Sequence, residues 1–457
     1  MRRVLFVVGT PLAFAVAVAC ASSEQEPLAP PPSPEGPTTL NDAAPDEAAT
    51  VDAEPDAVPE DTCSAAGWCR TALPDVDLIM RDIWPLANGN LAFAIAESPT
   101  LGVKVLGWDK ASNAWKYIDD NTQNEPGYGK YAGGIWASGE NDVYYTVAPG
   151  TVYHGTRPDP SASFSWVRFA LADHSADDPK APGAFPHDHG DPFYLVLEEN
   201  YPSLGVWGTS STDVYAWYAN TIFHWAEDDT GTPGWIPEHV ADDVESDPDN
   251  PATVEHIYFT SAAGSGPDRV WFSGARDRYP DGSSCSILVQ KTPKGYARIA
   301  DGVVPGWNGN PWSCEEREGV MMLGGSEAWL TDLQVLGADR LYGLKGRNVV
   351  QLSPGKGGFA VAISEIPWTV TVFKNGLSSL WPTNDGSNDQ VWLAGFGLLI
   401  QGKSPDIWGK DPSKAYQVST ISLNGAPTRR AIHRIRGTSP HDLWAVGARY
   451  AFHKTTP

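Results

Sequence analysis

Three short stretches of this chain carry side chains able to do chemistry. His187-Asp188-His189-Gly190-Asp191, with His174 upstream, sets two imidazoles two residues apart. In extended backbone such a pair points to one side, and Asp191 adds an oxygen. A divalent ion is therefore the one cofactor for which the sequence offers ligands, in His187, His189 and Asp191; a polar surface loop collects the same residues. Asn384-Asp385-Gly386-Ser387-Asn388-Asp389 opens like a calcium loop but lacks the distal acidic ligand, so a glycine-tipped turn is expected. Glu315 and Glu316 are adjacent, and extended backbone points them apart, unlike a cooperating carboxylate pair about 5–9 Å apart. Arg276, Arg278, Arg317 and Arg436 are available to bind a carboxylate, but no spacing selects three of them. No nucleophile elbow or phosphate-binding loop is present, and no catalytic residue or organic cofactor is expected. Tyr194, Tyr201, Trp307 and Trp312 offer rings that would stack on sugar faces if exposed, or cover the fold as a minor core.

The elements that must position these side chains repeat. Gly205-Val206-Trp207-Gly208-Thr209 followed by Asp213-Val214-Tyr215-Ala216-Trp217 returns as Arg436-Gly437-Thr438-Ser439 followed by Asp442-Leu443-Trp444-Ala445-Val446-Gly447. The aspartate of the motif recurs at Asp142, Asp213, Asp268, Asp339, Asp389 and Asp442, and a degenerate first copy places Asn90 there. Seven strand-rich repeats predict an all-β fold, a seven-bladed β-propeller of four-stranded blades. In the third repeat the strands are expected over 205–209, 213–217, 221–225 and 235–240. Trp136, Trp207, Trp271, Trp381, Trp392 and Trp444 all fall at repeat positions and are expected between blades. The repeat aspartates are expected to cap turns by accepting backbone N–H groups.

The last repeat runs out of chain after Tyr450–Lys454, one strand short. Trp68-Cys69-Arg70-Thr71-Ala72-Leu73 resembles Trp166–Leu171, the outer strand of the second repeat, so the N-terminal strand is expected to close the ring and hide its edges. In such a meander alternate connections share a face. The long segments 172–204, 241–255 and 301–332 all lie between blades, and 275–284 joins middle strands of the fourth, so all emerge on one face. That face, carrying His174, His187, His189, Asp191, Tyr194, Tyr201, Trp307 and Trp312, is the expected binding surface.

The ends and the charge place the molecule. Residues 1–20 read as a signal segment: Arg2 and Arg3, an apolar run from Val4 to Val18, and Ala17-Val18-Ala19-Cys20. That tetrapeptide resembles the lipobox of bacterial lipoproteins, with Ala17 where leucine is usual. The resemblance implies that Cys20 is lipidated, and Ala21 after it implies the outer membrane, facing the periplasm or the exterior. Residues 21–62 hold nine prolines and eleven acidic residues with no lysine or arginine, the composition of a disordered linker. Stretched, it would reach about 130 Å at ~3.1 Å per residue. Residues 63–457 form the propeller. Its 30 basic against 45 acidic residues disfavour nucleic acid as a partner. With Cys20 lipidated, four cysteines remain; local pairing joins Cys63 to Cys69 and Cys285 to Cys314, which an envelope compartment permits.

Across 68–457 the repeats resemble the aromatic, Asp-containing propeller repeats of secreted lipoproteins of environmental Gram-negative bacteria, most strongly over 205–225 and 433–447. The resemblance implies a fold and an export route and no settled activity. The Asp-box of sialidases is also similar, but Val214 and Leu443 replace its glycine. The reading that follows is a monomeric, lipid-anchored, non-catalytic module that binds an envelope protein or an extracellular glycan. Its alternatives are a polysaccharide hydrolase or lyase, and a periplasmic scaffold for envelope assembly.

Overall fold

The computed structural model describes residues 63–125, 131–172, 203–244, 254–279, 283–304, 314–324, 329–370, 377–395, 397–409, 411–421, 428 and 430–455. Their strands form seven four-stranded antiparallel sheets, each a meander of consecutive strands except the last. These are the blades of a propeller. They span 79–117, 131–170, 204–240, 254–300, 330–365, 377–419 and 432–454, numbered one to seven along the chain. In blade three the strands are Leu204–Ser210, Asp213–Tyr218, Thr221–Glu227 and Pro233–Val240, each within two residues of the sequence expectation.

Blade seven is completed from the other end of the chain. Trp68–Arg70 pairs antiparallel with Tyr450–Lys454, Trp68 opposite Lys454 and Arg70 opposite Phe452. Trp68 is fully buried. Its indole N–H donates to Ser419 Oγ at 3.0 Å, and its ring meets Trp392 edge-on at 5.8 Å, both in blade six. Thr71 Oγ1, just past this strand, accepts from the Trp115 indole of blade one at 2.9 Å. One short strand thus ties three blades at the seam, and the Cys63–Cys69 disulfide lies beside it.

Two devices join blade to blade. Near the axis, the side chain on one inner strand accepts a backbone N–H from the next. Asp82 Oδ2 takes Ile135 at 3.1 Å, Ser261 Oγ takes Leu333 at 3.2 Å, Asp332 Oδ2 takes Leu380 at 2.8 Å, and Ser379 Oγ takes Ile435 at 3.2 Å. Farther out, tryptophans wedge between sheets where the neighbour has glycine. A Cβ on Gly208 would lie 2.8 Å from the Trp136 ring, and one on Gly264 would lie 2.7 Å from Trp207. Neither glycine tolerates a side chain without moving that ring.

The axis itself is plugged. Arg436 Nη1 and Nη2 reach the two oxygens of Asp332 at 3.0 and 3.1 Å, and Arg434 Nε stands 3.5 Å from Asp82. Burial works against the charge of Asp332, yet Arg436 and Arg434 keep its carboxyl below the usual carboxylate range. A cavity of about 30 Å³ remains there, room for a water molecule or two. Arg436 is thus committed to the axis and unavailable to a surface carboxylate site.

Candidate binding surface

The connections between blades and those joining second to third strands share one face, here the crown; the other connections form the underside. On the crown lie 171–203 and 301–329, the longest connections in the ring, with 241–253 between them. The eight side chains expected to bind, His174, His187, His189, Asp191, Tyr194, Tyr201, Trp307 and Trp312, fall outside the described residues, as does the expected metal cluster. Among the described residues no group of three or more His, Cys, Asp or Glu side chains is placed to share a metal ion.

What is described is the platform beneath them. Blade four is taller than blade three. Its strands Val254–Gly264, Val270–Tyr279 and Ser283–Thr292 run about five residues further on the crown side, roughly 16 Å at about 3.3 Å per residue. An unsupported extension of this kind would fray, and two features root it. The Cys285–Cys314 disulfide ties its third strand to the 301–329 segment, packed so closely that a Cβ on Gly302 would meet both sulfurs within 2.6 Å. The second is a hub of three arginines and three acids.

Arg276, wholly buried, is the centre of that hub. Its Nη1 lies 2.9 Å from Glu255, and its Nη2 lies 3.0 Å from Asp301 and 2.9 Å from Asp243. Arg298 reaches Asp243 at 2.5 Å and Asp301 at 2.9 Å, and Arg317 reaches Asp243 at 3.1 Å. Three guanidinium groups therefore converge on one carboxylate oxygen, Asp243 Oδ2. Burial opposes its charge, but Arg298 and Arg276 hold its pKa down to about 2. The same acids push Arg276 further up against the cost of burial. Asp243 Oδ1 and Arg317 Nη2 are buried with no partner among the described residues, and they lie close along the chain to 245–253 and 305–313. Of the arginines singled out in the sequence, Arg276 and Arg317 meet here, Arg436 does not, and the Arg278 side chain lies outside the described set. Glu315 pairs backbone-to-backbone with Val303 at 2.9 Å, and it and Glu316 are exposed.

The underside is built from the repeat motif, and here two expectations need correction. The repeat aspartates sit at the turns, but their described partners are side chains rather than backbone N–H groups. Asp213 accepts from Thr209, from Tyr215 at 2.7 Å and from His224 at 3.1 Å. Asp142 likewise accepts from Ser138 and His154, and Asp442 from Thr438 and His453. Further, Asn90, Asp268, Asp339 and Asp389 miss the repeat position by one residue, which Leu91 holds in blade one and Gln390 in blade six. Val270 pairs with Gly264 as Val214 pairs with Gly208, so Arg269 stands where Asp213 does, and by the same register Arg340 does so in blade five. Asn384–Asp389 is the expected turn. Asp385 accepts the Ser387 and Asn388 N–H groups at 2.9 and 2.8 Å, and Gly386 supplies φ +92°.

No family model matches the chain, and no curated protein matches it. Solved structures do. YCF48 bound to D1 peptide superposes with a TM-score of 0.50 and 13% identity, over 88% of this chain and 99% of that one. YCF48 from Cyanidioschyzon merolae gives 0.45 and 12%, over 86% and 99%. The Dos1 propeller gives 0.46 and 12%, over 82% and 78%. At such identity the likeness establishes the fold. Activity has to be argued from the site.

Proposed function

We propose that this chain is a non-catalytic binding module whose crown, around the raised blade four, receives a protein partner or an extracellular glycan. The observation that carries the reading is the buttressed extension: a disulfide and six charged side chains root blade four and draw in the connections on either side of it, through Asp243, Asp301 and Arg317. Such rigidity beneath long loops is how a binding surface is kept in register. The neighbour of the same fold bound to D1 peptide supports a peptide or protein as the ligand class. Of the arginines that could have received a substrate carboxylate, Arg276 and Arg317 are occupied by Asp243, Glu255 and Asp301 and Arg436 by Asp332, which disfavours the polysaccharide hydrolase or lyase. His174, His187, His189, Asp191, Tyr194, Tyr201, Trp307 and Trp312 belong to the proposed contact set, with a divalent ion at His187, His189 and Asp191.

The rest of the proposal concerns placement. The chain is anchored through lipid on Cys20 at the outer membrane, the acidic linker 21–62 acts as a spacer, and the propeller is a monomer. Metabolic labelling with a fatty acid should mark the protein and be lost in Cys20→Ser. For the module itself, incubation with a panel of cell-wall and extracellular polysaccharides is read for retention and for new chain ends, with crosslinking to envelope proteins alongside. Saturable retention or a crosslinked partner, weakened by deletion of 172–204 with the melt unchanged, is the expected result. New reducing or unsaturated ends would overturn it in favour of the enzyme.

A further inference from the structure

On the underside, three seams carry the wedge, an inner-strand tryptophan against glycine of the next blade: Trp136 against Gly208, Trp207 against Gly264, Trp381 against Gly437. Between blades five and six Gln334 and Pro382 stand at these positions, and between seven and one Arg436 and Pro85. Between blades four and five both halves of this fit are missing. The strand register puts Ala263 at the tryptophan position and Val335 at the glycine position. A methyl and an isopropyl group replace an indole, and the neighbours do not close the difference. A cavity of about 240 Å³ remains, lined by Val335 and open to the underside.

The cavity's chemistry is specific. Trp271 and Phe359 form an aromatic corner, edge to face at 5.2 Å, within the apolar cluster that also holds Ala263, Leu341 and Leu352. Gln290 contributes an amide, and Ser265, Arg269, Asp339 and Arg340 also line the cavity. In blades two, three and seven the matching residue is a histidine bound to the repeat aspartate. In blades five and six the matching glutamines are also engaged, Gln351 with Tyr342 at 2.6 Å and Gln401 with Gln390 at 2.7 Å. The Gln290 amide makes no hydrogen bond to another described residue, and Arg269, at the aspartate position, pairs with Asp339 at 3.1 Å, both lining the cavity. An apolar void of about 150 Å³ already suffices to take up benzene; this one is larger and carries a free amide at its wall.

We propose that the seam between blades four and five is a receptor for an indole side chain presented by a partner peptide. The ring enters beside Val335, its faces against Trp271 and Phe359, and its N–H donates to the Gln290 carboxamide oxygen. The site lies on the face opposite the crown and stands independently of the crown reading.

The test is ligand-observed saturation-transfer NMR on the full chain with N-acetyl-tryptophanamide, with N-acetyl-leucinamide as control. Transfer to the indole protons and little to leucine is expected. Gln290→Ala should weaken binding about fivefold, the loss of one neutral hydrogen bond. Ala263→Trp combined with Val335→Gly restores the internal wedge and should weaken it at least tenfold. Ala338→Trp, an exposed turn residue at the cavity mouth, should do the same without touching the core, so the test survives if the double variant misfolds. No transfer to the indole, equal transfer to leucine, or transfer unchanged by Ala338→Trp would each overturn the proposal. Deleting 172–204 should leave the signal intact, which separates this site from the crown.

Discussion

In blades two, three and seven the second-strand ring lies flat on a histidine of the third strand. Tyr144 stacks on His154 at 4.0 Å, Tyr215 on His224 at 4.5 Å and Trp444 on His453 at 3.9 Å. In blades four, five and six the same ladder position holds Gln290, Gln351 and Gln401. The exchange does not stand alone. Where the histidine is present, an aspartate and a hydroxyl residue four positions before it complete the unit. In blades four and five that aspartate is an arginine, which would leave a neighbouring imidazole without its acceptor. The polar groups of those blades instead pair across seams, Arg269 with Asp339 and Arg340 with Asp389. The motif's polar groups thus pair within the blade in blades two, three and seven and across a seam in blades four and five. The second arrangement leaves room, because a pair spanning a seam does not fill it.

The largest effects should come from the fixings that blade four has in place of its histidine unit. Arg276→Ala removes the buried central cation from Glu255 and Asp301, which are 1% and 0% exposed, and leaves Asp301 with Arg298 at the hub's edge. It should cost about 3–5 kcal/mol, the range for breaking a buried pair on one side. Denaturant unfolding followed by fluorescence checks this, and a cost near zero would show that blade four is held by the disulfide alone. Next comes Trp207→Ala, which empties a filled seam and should cost about 3 kcal/mol. The mirror change, Ala263→Trp with Val335→Gly, should raise the melting temperature. If both lower it equally, the seams do not differ as described.

The third prediction separates the two arrangements by pH. Burial disfavours a charged His224, but hydrogen bonds to Asp213 and Glu238 outweigh it and raise its pKa. A raised histidine stabilises fully below its unfolded value near 6.5 and loses that contribution as pH climbs through the folded value. Burial likewise opposes the charges of Asp213 and Glu238, yet hydrogen bonds, first among them from His224, hold both pKa values to about 2. Their contribution is present above about pH 4 and disappears as pH falls toward 2. His224→Gln, which makes blade three resemble blade four, should therefore cost about 1–2 kcal/mol near pH 5.5 and less with each step upward. The melting temperature across pH 5–8 reads it. A cost that stays constant over that span would mean that His224 acts through stacking on Tyr215 and carries no charge.

How far these features were legible depends on sequence distance. The strands of blade three, the closing strand at Trp68 and the two disulfides were readable because each depends on local pattern or on pairing near in sequence. The Arg276 hub was not. Its acids at 243, 255 and 301 come from three separate segments, and no periodicity links them. The shift at Asp268 and Asp339 escaped for another reason. Both precede an Arg-hydrophobic-aromatic run that imitates the motif, and only the pairing of Val270 with Gly264 shows the offset. The missing wedge was visible in principle, as Ala263 in a column that holds tryptophan at 84, 136, 207 and 381 and departs from it also at Gln334 and Arg436. It gains meaning only when the glycine on the next blade is known to be its partner.

The smallest effect tests whether the cross-seam pairs hold blades four to six together. Arg269 and Asp339 are 59% and 58% exposed, so water and salt screen their attraction, and Arg269→Ala should change stability by under about 0.5 kcal/mol. Arg340 is different. Its partner Asp389 is 6% exposed and also accepts from Tyr342 at 3.0 Å and Asn384 at 2.6 Å. Removing Arg340 leaves a buried carboxylate with neutral donors only, and should cost about 1–3 kcal/mol. Added salt should leave that gap open, because a buried pair is screened far less than an exposed one. Equal costs for the two variants would place the cohesion of blades four to six in their apolar seam. The cavity beside Val335 would then be a weakness of the ring that only an occupant corrects.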